Sequence, residues 1–312
     1  MNHKQIIAEA WEFTQNNKKM IIWYAFFPSL LTTLAGIIYI GYQVLAFKSS
    51  SLFENWEHGF GYVAATTVLG VIRSNFSSTL PFIVFAIITA LLYITIPAVC
   101  EGAIIQLIAR KKNGHDVRTR HGLRYGFMSF LPLFEYSWVV RTFSIVSMIT
   151  LFSTIARNFG WDPAMSFLPV IILFAVAGAV LTLLFTYTEF FIVIDDRKVF
   201  DSISKSCILV MSHPEETILL VILMLIISVR ILVQLLFVFL IPVIIAVSIY
   251  VFAATAFPYI GIIVGILLGL LTLYIASYLS GTIHVFAATV WTFSFLELTA
   301  EQEVSARLKM ED

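Results

Sequence analysis

Residues 218–296 run for 79 positions with Arg230 as their only formally charged side chain, and Met20–Phe47 carries no charge at all. About 20 apolar residues cross the hydrocarbon of a bilayer as a helix. In lipid every backbone N–H and C=O must be satisfied inside the protein, which leaves helices or closed barrels. Uninterrupted runs of this length read as helices. Composition agrees, since 60% of the 312 residues are hydrophobic and 12% are charged, where soluble domains carry about 25% charged residues. Nineteen basic and nineteen acidic residues cancel, which argues against nucleic acid or another polyanion as partner. Two cysteines, Cys100 and Cys207, are too few for a disulfide framework or a zinc cluster.

Met1–Lys19 lacks the apolar core and small-residue cleavage site of a signal peptide, so the first span is expected to be its own insertion signal. Six spans are expected, at about 20–47, 80–109, 131–155, 167–194, 214–238 and 260–296. A break falls near Ile241-Pro242. Pro242 and Pro258 bracket 243–257, which reads as re-entrant or interfacial. Seven spans is the alternative. With six, fourteen basic residues fall on the side of the N-terminus, in clusters around Lys18-Lys19, Arg110–Arg124, Arg197–Lys205 and Arg307-Lys309. Only Lys48, Arg73 and Arg157 fall on the other. That asymmetry places both termini in the cytoplasm.

Three segments entering the spans from that side resemble one another. They are Ile6–Phe13, Gly122–Phe127 and Ser202–Leu209, and aligning Ala8, Gly122 and Ser204 puts Trp11, Tyr125 and Cys207 in one column. Each reads as a short amphipathic helix at the interface. The first is expected to bury Ile7, Ala10, Trp11 and Thr14, and the third Phe200, Ile203, Cys207 and Val210. Asp201 and Lys205 are spaced to pair at i, i+4. Ser212-His213-Pro214-Glu215 reads as a capping box, with Ser212 as N-cap. The expected fold is therefore all-α, a polytopic membrane helix bundle of about six transmembrane helices. Residues 1–300 form one membrane domain of three units, at about 1–112, 113–198 and 199–300, and 301–312 a short charged tail. In unit one, Trp56, Phe60, Tyr62 and Val63 suggest an interface-hugging segment within 48–79.

The run Phe190–Asp196 leading into Val199-x-Asp201-Ser202-Ile203-x-Lys205-Ser206 resembles the membrane domain found beside the catalytic domain of some bacterial glycerophosphodiester phosphodiesterases. Related stand-alone six-helix inner-membrane proteins look similar. The resemblance implies a fold and an inner or plasma membrane location. It brings no reaction, because the chain has no room for the phosphodiesterase domain.

Catalytic motifs are missing from the sequence: no phosphate-binding glycine loop, no H-E-x-x-H, no C-x-x-C and no G-x-S-x-G. No cofactor, no metal and no enzymatic activity are expected. His115, Asp116 and His121 read as charged surface, and Asp195, Asp196 and Asp201 as helix caps. Ionisable residues within spans are the specific hint, since such groups usually face the bundle interior and are paired. Glu101 lies about 13 Å along a helix from Arg110, and Glu189 about 9 Å from Asp195, at 1.5 Å per residue. His284 occupies the matching span of unit three. Glu101, Glu189 and His284 are thus expected to line an interior polar site, with Arg141 as counter-charge and Gln106 or Gln234 nearby. The competing expectation is a buried ion pair that sets helix register. Arg230 is expected to snorkel to external headgroups. Two functional classes follow. One is a non-enzymatic protein of membrane or envelope homeostasis, with lipids as partners and a protein partner or second copy at the interfacial helices. The other is a transporter or channel for a small solute or lipid.

Overall fold

The computed structural model describes residues 3–48, 66, 69–70, 72–74, 76–227, 229–253 and 258–311. Every regular element among them is a helix. These are α1 (His3–Asn16), α2 (Phe26–Lys48), α3 (Phe76–Lys112), α4 (Gly122–Thr142), α5 (Ile145–Phe159) and α6 (Trp161–Leu184). They continue with α7 (Thr188–Val193), α8 (Val199–Ser212), α9 (Pro214–Ile227), α10 (Val229–Ala253) and α11 (Pro258–Glu311). A short helix Lys18–Met20 and a π-helical turn Ile21–Ala25 precede α2.

Four stretches among the described residues are long and apolar enough to cross a membrane: Lys18–Val44, Phe76–Lys112, Trp161–Leu184 and Ile263–Gln302. They overlap the first, second, fourth and sixth expected spans. The third expected span is interrupted. Ser144 adopts an extended conformation, and its hydroxyl accepts from the Ser147 N–H at 3.2 Å, capping α5 where an apolar count sees one helix. The fourth ends early, at Leu184 instead of 194, because α7 starts after a turn. The break expected at Ile241-Pro242 does not occur, since α10 runs through position 242 to Ala253. Proline is tolerated within apolar helices when the freed carbonyl finds other support. The segment expected at 243–257 is therefore helical as far as 253, and 254–257 lie outside the described residues, as do Trp56, Phe60, Tyr62 and Val63. Residues 301–311 continue α11.

Contacts divide the chain into two compact units, the first made of 1–37, 96–135 and 183–312 and the second of 38–95 and 136–182. Neither follows the boundaries at 112 and 198. The core of the first unit gathers Ile6, Ala10, Met20, Tyr24, Ile104, Leu107, Val285 and Val290. Small residues let its helices approach closely. A Cβ on Gly126 would sit 2.0 Å from the Val99 carbonyl oxygen, and one on Gly281 would sit 3.1 Å from the Ala25 carbonyl carbon. In the second unit Arg157 is buried, its guanidinium donating to Tyr42 Oη at 3.1 Å and to Gln43 Oε1 at 3.3 Å.

Two of the three expected short helices form as separate elements, α1 and α8, with buried stripes that differ from expectation, while the second, Gly122–Phe127, is the opening of the 21-residue α4. On α1 the buried residues are Ile6, Ala10 and Thr14, while Trp11 is exposed and meets Phe286 edge-on at 5.4 Å. On α8 they are Val199, Ser202, Ser206, Leu209 and Val210, and Phe200 is 84% exposed. Cys207 is half-buried. Ser206 explains the shift: its hydroxyl donates to the Leu184 carbonyl at 2.7 Å and accepts from Tyr187 N–H at 3.1 Å. Ser206 thus docks α8 on the turn between α6 and α7, with Val199, Leu209 and Val210 buried and Phe200, Ile208 and Met211 turned outward. Nor does the capping box form. Ser212 bonds back to the Ile208 carbonyl inside α8, and Pro214 opens α9 with His213 before it. Asp195 and Asp201 grip Arg197, at 3.4 and 3.1 Å, in place of capping or pairing with Lys205.

Candidate functional site

Glu101 projects from α3 one residue after the buried Cys100, beside the apolar core of the first unit. His284 sits on α11 directly before the buried pair Val285 and Phe286. Packing of these flanking residues brings the two polar side chains together, and His284 Nε2 lies 2.8 Å from Glu101 Oε2. The side chains are 22% and 25% exposed, respectively. Glu189 stands half-buried on α7 beyond the end of α6, in the same compact unit. Three of the four expected site residues are therefore gathered in one unit. Arg141 belongs to the second unit, on α4, and its side chain lies outside the described residues, as does that of Arg230 on α10.

Aromatic packing holds α7 in position. Phe190 stacks on Phe295 at 5.7 Å, Phe191 meets the same ring edge-on at 4.8 Å, and Tyr187 meets Trp291 at 5.8 Å. One ring of α11 thus anchors both phenylalanines that follow Glu189 on α7. Gln106, five residues beyond Glu101, is held by the Val193 carbonyl at the end of α7. It also accepts from Arg110 Nε at 3.1 Å, and the Arg110 guanidinium lies 4.2 Å over the ring of Tyr125. Gln106 therefore links α3 to α7. Gln234 is elsewhere, donating to Thr33 Oγ1 at 3.4 Å and accepting from Ser280 at 3.3 Å.

Glu9 and Cys207, both outside the spans, have shifted acidities. The Lys112 ammonium, 2.5 Å from Glu9, together with Gln5, holds the Glu9 carboxyl below the usual range. Burial pushes the Cys207 thiol up, the opposite of what a reactive cysteine needs. Among the described residues no group of three His, Cys, Asp or Glu side chains is placed to hold a metal.

A cluster that sequence reading passed over lies at the start of the first span. Tyr24, in the π-helical turn, donates its hydroxyl to the Thr119 carbonyl at 2.7 Å and accepts from Leu123 N–H at 3.0 Å. Only glycine allows this, because a Cβ on Gly122 would sit 2.9 Å from the phenol oxygen. Beside the tie is a cavity of about 640 Å³ lined by Lys19, Trp23, Arg118 and Arg120 among others. The signal was present as basic residues before the first apolar run and after the second, but their partnership needs a contact 95 residues apart. No family model, no curated protein and no solved structure matches the chain.

Proposed function

We propose that this chain is a non-enzymatic, multi-pass cell-membrane protein that acts in membrane or envelope homeostasis through lipid contact at its short amphipathic helices. One observation carries the reading: α8 buries Ser202 and Ser206 along with Val199, Leu209 and Val210, and still presents three large apolar side chains outward. Phe200, Ile208 and Met211 are 84%, 57% and 72% exposed, at i, i+8 and i+11 on one face. The first turns of α4 repeat the pattern with Leu123, Phe127 and Leu131. Exposed apolar stripes beside charged residues are the signature of helices lying in a lipid interface.

Six crossings with both ends cytoplasmic accord with the fourteen-to-three bias of basic residues. Three repeated units are supported by how the short helices dock. Trp11 of α1 meets α11, Gly126 of α4 abuts α3, and Ser206 of α8 bonds at the foot of α7. Each sits on the closing helix of another unit. A phospholipid carrying a photoactivatable group in its acyl chain tests the lipid reading in reconstituted protein. Cross-links are expected on Phe200, Ile208 and Met211. Labelling confined to the four long helices would refute it.

A second reading, transport of a small solute or proton, is favoured by the Glu101–His284 pair with Glu189 in the same compact unit. Repeats around an interior polar site are how many transporters are built. Proteoliposomes carrying Glu101→Gln would then lose uptake driven by a proton gradient.

A further inference from the structure

The cavity beside Tyr24 is walled on one side by Lys19 and Trp23 and on the other by Arg118, Thr119, Arg120 and Leu123. No acidic side chain is among the described residues lining it. In a chain whose charges sum to zero, three cations around one concavity without a carboxylate are an imbalance that a ligand would relieve. Asp116, the nearest carboxylate in sequence, is not among the lining residues. The concavity is also built. Tyr24 ties both ends of the turn that carries Arg120, and Gly122 makes room for the phenol. Its volume of about 640 Å³ is within the range of small-molecule sites, roughly 300–1,000 Å³. Its depth is set by the sequence, since Lys19 and Trp23 stand at the first turns of the span Lys18–Val44. Trp23 is 63% exposed, as expected of a tryptophan at headgroup level.

We propose that this cavity binds a phosphate ester anion, with Arg118, Arg120 and Lys19 neutralising the phosphate and Trp23 packing against the glycerol or acyl end. Guanidinium groups match phosphate oxygens two at a time, and the ammonium adds a point charge. The proposal rests on the reading that this chain meets lipid at its interfacial surfaces, and it names the chemical class recognised there. The phosphate has two sources, an anionic phospholipid headgroup or a soluble phosphate ester.

The test is lipid retention by the full chain in uncharged detergent, read by native mass spectrometry with phosphatidylglycerol and phosphatidylcholine. The wild type is expected to retain phosphatidylglycerol preferentially, and the preference should fall about fivefold for each arginine lost in Arg118→Gln and Arg120→Gln. Lys19→Gln, on the opposite wall, should give a similar loss even where the double arginine variant fails to fold. Arg124→Gln, an exposed neighbour outside the cavity, should keep the preference. Displacement of the lipid by millimolar inorganic phosphate would make the free anion sufficient, and retention against it would make the lipid the source. The proposal is overturned by a wild type with no preference for either probe over phosphatidylcholine. It is equally overturned if Arg124→Gln loses as much as the cavity variants. Inorganic phosphate binding without any acyl cross-linking on α8 would leave this site standing and remove the lipid reading beneath it.

Discussion

His284 and Glu101 are 2.8 Å apart with about a quarter of each side chain exposed, a setting in which the pair is neither free of desolvation nor fully shielded by solvent. Removing one partner strands the other, so the single variants measure desolvation as well as attraction. A double-mutant cycle with Glu101→Gln and His284→Gln separates the two. Coupling of about 0.5–3 kcal/mol is expected for residues in direct contact, read from thermal unfolding in detergent. Additivity within about 0.5 kcal/mol would mean that the pair contributes nothing specific. The pairing of Glu101 with His284 was legible because a charge inside an apolar run must find a partner, and both stand near the same end of a run. The partner of Gln106 was not legible. It is a backbone carbonyl, Val193, and carbonyls carry no mark in a sequence.

At the scale of one helix, α8 shows why hydrophobic periodicity locates an element but mistakes its face. Its position was read correctly from the spacing of apolar residues, whereas the face against the protein sets Ser202 and Ser206 among Val199, Leu209 and Val210. Periodicity assumes that the buried side is the apolar side. Where the surroundings are lipid, both sides are out of water, and small hydroxyl residues that let backbones approach take the protein side. Ser206 satisfies two backbone groups released at the turn after Leu184. Ser206→Ala should therefore cost about 1–3 kcal/mol of unfolding free energy. Ser204→Ala, at an exposed position on the same helix, should change stability by less than about 0.5 kcal/mol. Equal effects would show that α8 is not docked through its serines. The hydroxyl cap at Ser144 was missed for a related reason: a single serine amid apolar residues barely alters a window average, yet it ends one helix and starts another.

For the whole molecule, the number of crossings separates four long apolar helices from the six that charge placement favours. Single cysteines introduced at Lys4, Asp116, Asp162 and Glu215 in a chain lacking Cys100 and Cys207 can be labelled from either side of sealed vesicles. The six-span arrangement expects 4, 116 and 215 to react on one side and 162 on the other. Any other distribution would require redrawing α4, α5, α9 and α10. The helical class was legible from the uncharged runs alone, since no other structure satisfies its backbone over such lengths. Two compact units interleaved along the chain were not, because contact between distant segments leaves no local pattern.

The tie made by Tyr24 has a consequence in time. Its partners lie 95 and 99 residues further along the chain. At synthesis rates of about 5–20 residues per second, that separation corresponds to roughly 5–20 s between the appearance of the phenol and that of the turn it holds. The first apolar run leaves the ribosome well before the arginines that complete its basic cavity. During that interval Lys19 and Trp23 form only half of the cavity, and its other wall is in place once the turn bearing Arg118 and Arg120 arrives.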